Sequence, residues 1–487
     1  MSDDLAVRQP LRLRADSSRV ITKLFVPGHP EVQRGRQVSE AVTHVLDLAE
    51  ERVAAGLAEL QSRFGPRHRN LSATFEHNAD RLANRLPEGA VMSDQRRMLL
   101  GATFTHEYSV EAAALCNPSV VAAPVQTGPA GSLDLVLSTR GIGEGHRSSI
   151  GFRTASVDGD GQITVEAPGP YATVGTVSSG TLHADAFRSV ARRASDDAEA
   201  TTWVLDSLGD EFTQFELDDR LTELEGQGDT RPDVARTVRR LRALAARGYR
   251  VEFDASTPVD ERVLYPVADA ERNGIEDARF VRFEDTDSAV YYATYTAYDG
   301  RDIVQQLLET VDFSTFDASP LQGPAAQNKG LALFPRRIGG HFAALSRHNG
   351  TSNAVAFTDD IRHWPTATRL AGRTKLWSSI QVGNCGSPIE TEAGWLMLTH
   401  GVGPMRTYSI GACLLDLDDP TRVIGELAEP LLSPGPDEQD GYVPNVVYSC
   451  GVVRHGPRLV IPYGIGDASI GFATADLDAI LARMDRV

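Results

Sequence analysis

Apolar positions recur at helical spacing over 37–63, where Val38, Val42, Val45, Leu46 and Leu48 are interleaved with charges. Residues 77–107 have the same texture, with Leu82, Leu86 and the cluster Met98-Leu99-Leu100. Together these runs predict an N-terminal helical region over 1–112. From Leu115 the period shortens. LDLVLSTR (133–140), SSIGFRTASVDG (148–159) and ITVEA (163–167) are brief β-rich runs separated by Gly, Asp and Ser. Residues 193–247 return to helix-forming composition, ending in DVARTVRRLRALAARG, whose basic face reads as solvated. A helical insertion at about 193–247, inside a β-domain over 113–487, is therefore expected. Beyond 248 nearly everything is strand and turn: YYATYTAY, LALFPRRIGGHFAALSRH, GWLMLTHGV, YSIGACLLDL, NVVYSCGVV and LVIPYGIG. Repeated hairpins without intervening helices favour a β-propeller over a parallel sheet, with a β-sandwich as the alternative.

Composition narrows the classes. With 487 residues the chain is too long for one ordinary core unless it is built from repeats. A formal net charge of −18 argues against nucleic acid or an anionic membrane surface as partner. No apolar run reaches the length of about 18 residues that a membrane helix needs. The opening MSDDLAVRQP carries acids where a secretory signal would be apolar. Cys116, Cys385, Cys413 and Cys450 lie far apart with no CxxC, a pattern of reduced core thiols in a cytoplasmic protein.

No Walker loop, GxGxxG fingerprint, HExxH or GxSxG stands in a convincing context, and GIGEGH (141–146) reads as a loop. The informative signal is a set of polar residues at the ends of apolar strands. Asn117 precedes Pro118, Arg140 closes LVLSTR, and Asp277 with Arg279 precedes FVRF. Lys329 precedes LALFP, Arg347 and His348 end FAALSRH, His400 ends WLMLTH, and Asp467 follows YGIG. A propeller would aim such positions at one funnel. Carboxylates able to donate a proton or hold sugar hydroxyls then meet cations able to hold an anion. In NGIEDARF (273–280) adjacent side chains of an extended segment point to opposite faces, so only one of Glu276 and Asp277 is expected in the pocket. Tyr298, Trp377, Tyr408 and Tyr442 are aromatics able to stack on sugar rings, and no close-spaced ligand pair suggests a metal.

At these residues the sequence resembles glycoside hydrolase family 130, the β-mannoside phosphorylases and mannosidases, over roughly 113–480. CNPSVV, LVLSTR and SSIGFRTASVDG resemble the family's opening block; EDARF resembles its Asp-Pro-Arg block with Ala278 for Pro. LFPRRIGG, GWLMLTHGV, YSIGACLLDLDDP and PYGIGD follow in the family's order. The resemblance implies a five-bladed β-propeller and single-step inverting cleavage of β-mannosidic linkages. It implies Asp277 as proton donor, and Asn117, Arg140 and Asp467 as sugar contacts, with Tyr298 as a further candidate. Lys329, Arg347 and His400 match its phosphate positions, whereas Gln381 stands where a Lys is usual and Gly330 where an Asn is frequent. Phosphorolysis, with inorganic phosphate as co-substrate and no other cofactor, is the favoured expectation. The alternative is an inverting β-mannosidase with Glu276, Glu390 or Glu392 as base, and a non-catalytic carbohydrate-binding propeller is a further one. An oligosaccharide is the expected partner. The helical additions would cover the funnel or build a homo-oligomer interface, and the sequence does not choose.

Overall fold

The computed structural model describes residues 5–487 except 26–30, 88–90, 185–186, 189–190, 193–194, 227–231, 286–287 and 373–374. The described chain is mainly β and divides into two compact units.

The larger unit holds Met1–Ala15, Ala113–Pro168 and Val174–Val487. It is built from antiparallel four-stranded arrays that follow one another along the chain. The first is Ala114–Ala122, Leu133–Ile142, Ser148–Val157 and Ile163–Val165; the second is Gly274–Asp285, Ser288–Tyr298, Ile303–Thr310 and Thr315–Pro320. The third comprises Ala332–Leu333, Phe342–Ser346, Ala354–Thr358 and Ala367–Arg369. The fourth comprises Gln381–Asn384, Gly394–Val402, Tyr408–Leu415 and Val423–Glu426. The last pairs Val447–Tyr448, Arg458–Ile465 and Ser469–Asp476 with Ala6–Arg14 from the other end of the chain. These strands are apolar on both faces, as elements packed between neighbours must be: GWLMLTHGV is buried throughout.

The strand Ala6–Arg14 corrects the expectation of helix from the first residue. Its register with Ser469–Asp476 runs from Ala6↔Ala475 to Arg14↔Ser469, with an irregularity between Arg8 and Arg12. The buried Glu438 carboxylate accepts from Arg12 at 2.8 Å, from Arg8 at 3.1 Å and from the Tyr463 hydroxyl at 2.7 Å, fastening this strand from the side.

The helical insertion leaves the second array through paired strands Thr176–Ser179 and Tyr249–Glu252. Helices Ala198–Asp206, Gln214–Gly226 and Pro232–Ala245 enclose Val204, Leu221, Val238 and Leu241. Leu182 and Phe187 join that core, so it starts before residue 193. The basic face is paired: Arg236 and Arg240 meet Asp196 at 3.1 and 2.7 Å, and Arg242 meets Asp218 at 2.5 Å.

The smaller unit holds Asp16–Ala112 and Gly169–Thr173. Helices Glu31–Asp47, Glu50–Phe64, Leu71–Arg81 and Asp94–Thr103 lie in sequence between the antiparallel strands Val20–Leu24 and Thr105–Ser109. Asn70 and Ser93 cap two helices by accepting from the backbone N–H three residues on. Buried Arg96 donates to the carbonyls of Val45, Leu46 and Leu48, satisfying the end of the first helix.

Candidate active site

A pocket of the larger unit is lined by Asn117, Arg140, Asp277, Lys329, Arg347, Gln381, His400, Arg406, Tyr408, Tyr448 and Asp467, with Val443 and Val446. All but one of the expected site residues meet here, drawn from successive arrays. The exception is Tyr298. It ends its strand 37% exposed, its hydroxyl donates to the Gly300 carbonyl at 2.9 Å, and it is not among the lining residues.

Backbone irregularity aims the polar groups. Asn117 and Asp277 both have left-handed φ, 46° and 59°, and each sits where its strand slips register: Cys116/Ser119 in one, Glu276/Arg279 in the other. Such bulges redirect a side chain out of the alternating pattern, and Asn and Asp tolerate left-handed backbone best after glycine. The Asn117 amide donates to the Asp277 carboxylate. Asp467 has φ 49° in the turn that joins Arg458–Ile465 to Ser469–Asp476.

Of the adjacent carboxylates, Asp277 lines the pocket and is 3% exposed. Glu276 takes a different part: it pairs with Arg140 at 2.6 Å and lies 3.6 Å from the Lys329 ammonium. Beneath them the buried Arg279 donates to the Asp277 carbonyl at 2.8 Å and to the Tyr448 hydroxyl at 2.6 Å. Burial alone would push the Asp277 carboxyl up, but Lys329, Arg279, Arg140 and the Asn117 amide together draw it down to about 2. Asp467 goes the other way: burial raises it, Arg140 only partly opposes this, and Asp277 adds to it.

His400 differs from the expected cation. Its Nδ1 lies 3.1 Å from the Asn384 carbonyl, which can only accept, so Nδ1 carries the proton. Nε2 then accepts from Arg347 Nη1 at 2.9 Å. Burial, followed by the charges of Arg347 and Arg279, holds the imidazole well below its usual pKa, and the ring is neutral. His400 orients Arg347 rather than adding a positive charge. The Arg347 Nε–H is buried and has no acceptor among the described residues. Gly383 makes room for this pair, because a Cβ there would stand 2.7 Å from His400 Nε2 and 3.0 Å from Arg347 Cδ.

Glu390, a candidate base, is away from the pocket in a half-exposed ion pair with Arg336 at 2.5 Å. Trp377 donates to the Ala428 carbonyl at 3.1 Å and abuts Gly401 and Gly411, so it fills space beside the fourth array. All four cysteines are free and buried. Among the described residues no cluster of metal-ligating side chains gathers, and no helix is long and apolar enough to cross a membrane. Arg406 and Tyr448 are lining residues that motif reading passed over. Arg406 could have been found by self-comparison, since THGVGPMRTYSIG (399–411) repeats the frame of TRGIGEGHRSSIG (139–151). Tyr448 carries no such signal.

A pocket mixing carboxylates, guanidinium groups and a lysine at the ends of β-arrays is one suited to polyhydroxylated and anionic ligands. The family model described as beta-1,4-mannooligosaccharide phosphorylase, glycoside hydrolase family 130, matches residues 254–486. A beta-1,2-mannobiose phosphorylase of Listeria innocua is 34% identical over 237 residues, which cover 47% of this chain and 65% of that protein, just under two thirds of its length. A 1,2-beta-oligomannan phosphorylase of Thermoanaerobacter sp. is 33% identical over 243 residues, 48% of this chain and 79% of that protein. The solved Listeria innocua beta-1,2-mannobiose phosphorylase superposes with a TM-score of 0.46 at 24% identity, covering 77% of this chain and 92% of that one. The chain belongs to glycoside hydrolase family 130.

Proposed function

We propose that the protein cleaves β-mannosidic linkages by phosphorolysis. A phosphate oxygen attacks the anomeric carbon from the face opposite the leaving group, the glycosidic C–O bond breaks, and the leaving oxygen takes a proton from Asp277, directly or through a sugar hydroxyl. Inversion turns the β-linked residue into an α-mannosyl phosphate and releases the shortened sugar. Asn117, Arg140 and Asp467 hold the mannosyl unit; Lys329 and Arg347 hold phosphate, and His400 keeps Arg347 in place.

The observation that carries this reading is the buried Arg347 Nε–H, which has no acceptor among the described residues, in a pocket that also holds Lys329. Phosphate oxygens supply the missing acceptors, and guanidinium presents a matching fork. Phosphorolysis needs no general base, in keeping with Glu390 lying outside the pocket. The named relatives are phosphorylases. For Asp277 to donate a proton its carboxyl must rise from about 2 in the complex: bound phosphate offsets Lys329, the largest of the charges that depress it, and burial then acts in the raising sense.

Incubating manno-oligosaccharides with and without inorganic phosphate tests the proposal. Sugar release is expected to require phosphate and to yield mannosyl phosphate; release at the same rate without it would establish the hydrolase alternative. A substitution probes the geometry. Gly383→Ala is expected to raise the phosphate KM about tenfold or more and to lower the melting temperature, because its Cβ overlaps the buried His400–Arg347 pair and displaces it.

The array order supports reading the larger unit as a five-bladed propeller. Each array has the same four-strand meander, and Ala6–Arg14 completes the last one. Four unpaired thiols fit a reducing, cytoplasmic setting.

A further inference from the structure

The cations around the pocket differ in what already holds them. Arg140 and Lys329 share Glu276, at 2.6 and 3.6 Å. Arg279 lies beside the Asp277 carboxylate at 4.0 Å and is tied to Tyr448. Among the described residues the Arg347 guanidinium is hydrogen-bonded only to the neutral His400. Arg406 has no ion pair or hydrogen bond among the described residues, yet it lines the pocket from an exposed position. Arg347 and Arg406 are thus the two lining cations without a carboxylate partner among the described residues.

The backbone that carries Arg406 recurs. It ends the turn Pro404–Arg406, closed by Gly403 N–H donating to the Thr407 carbonyl at 3.0 Å. Met405 and Arg406 are both left-handed, with φ of 57° and 55°, a backbone state that residues other than glycine rarely adopt. In the first array the matching turn is Glu144–His146, closed in the same way by Gly143 and Arg147, with Gly145 at φ 67° and His146 at 58°. Arg140 and His400 occupy matching strand ends, and both line the pocket. The shorter turn of the last array puts left-handed Asp467 in the same pocket. One turn position is therefore filled by side chains of different charge, and in the fourth array that side chain is a guanidinium.

We infer that Arg406 is a second guanidinium ligand of the phosphate, closing on it from the mouth while Arg347 holds it from the buried side. This rests on the phosphorolytic reading. Gln381 lines the same pocket as a neutral amide, so Arg406 supplies a cation that position does not.

The test measures initial rates against inorganic phosphate and against manno-oligosaccharide for the wild type, Arg406→Ala, Arg406→Lys, and Arg406→Ala combined with Gln381→Lys. Arg406→Ala is expected to raise the phosphate KM about tenfold or more while the sugar KM and the melting temperature stay within error. Arg406→Lys should recover part of the loss, and Gln381→Lys should recover affinity in the alanine background by restoring a cation to the pocket. A phosphate KM within about twofold of wild type for Arg406→Ala, or an equal rise in both KM values, overturns the assignment. If the wild type itself releases sugar independently of phosphate, the phosphorolytic reading fails and this assignment fails with it. If the wild type needs phosphate while Arg406→Ala keeps its affinity, only the assignment of Arg406 fails.

Discussion

Asp277→Asn is expected to lower kcat with manno-oligosaccharide and phosphate by about a thousandfold, within the range attributed to a positioned general acid. Few replacements are as clean. Asparagine tolerates the left-handed backbone that Asp277 adopts at φ 59°, and its carbonyl oxygen can still accept from the Asn117 amide. What it cannot do is deliver a proton. Calorimetric phosphate binding should survive, which separates lost chemistry from a lost site. The pH profile sharpens the test. Lys329, Arg279 and Arg140 hold the carboxyl down at about 2, so it carries no proton near neutrality. With phosphate and sugar bound its value must rise, and the kcat profile of the wild type is expected to fall along an alkaline limb well above that value. Stability responds in a fixed sense. A carboxyl depressed below its unfolded value of about 3.9 stabilises the fold above that pH, and the contribution disappears as pH falls toward 2. The variant should therefore melt somewhat below wild type at neutral pH, with the gap closing in acid.

Arg347→Met should raise the phosphate KM by about a hundredfold, and Arg347→Lys should restore little of it, since an ammonium cannot form the fork. The argument rests on burial. The guanidinium is 6% exposed, its Nη1 is committed to His400, and its Nε–H has no acceptor among the described residues. A buried charge without a counter-ion disfavours the folded state. In phosphate-free buffer the methionine variant should accordingly melt at or above the wild-type temperature. Added phosphate should raise the melting point of the wild type at concentrations about a hundredfold below those that move the variant, because the ligand stabilises each in proportion to its affinity. A thermal-shift series across phosphate concentrations checks both statements; a phosphate-induced rise in the variant equal to that of wild type would remove Arg347 from the anion site.

Much of the site was legible because hairpin arrays put chemistry at strand ends, where a polar residue interrupts an apolar run. Asn117, Arg140, Asp277, Lys329, Arg347, His400 and Asp467 all carry that mark, and all line one pocket. What stayed hidden depends on partners distant in sequence. The charge state of His400 follows from Arg347 and the Asn384 carbonyl, which no local pattern reveals. Tyr298 has the residue type of a sugar platform, but its hydroxyl turns back onto its own loop. Glu276 looked like a spare neighbour or a base; its pairing with Arg140 and Lys329 depends on how the first three arrays converge. Ala6–Arg14 falls in the stretch whose composition predicts helix, although VRQPLRLR has a near-alternating pattern. Its partner strand starts at Ser469, so short-range signals were silent about the pairing.

That pairing bears on how the chain comes together. The strand Ala6–Arg14 is synthesised well before Ser469–Asp476, the strand it pairs with. Between them lie a complete helical unit and four arrays that can pair locally as they are made. The last array is the long-range step, dominated by loop-closure entropy and by the high contact order such a junction imposes. Until it forms, the chain carries an unpaired edge at Ser469–Asp476, the sort of surface that recruits foreign strands. Arg8, Arg12 and the buried Glu438 then act as a latch on this long-range joint.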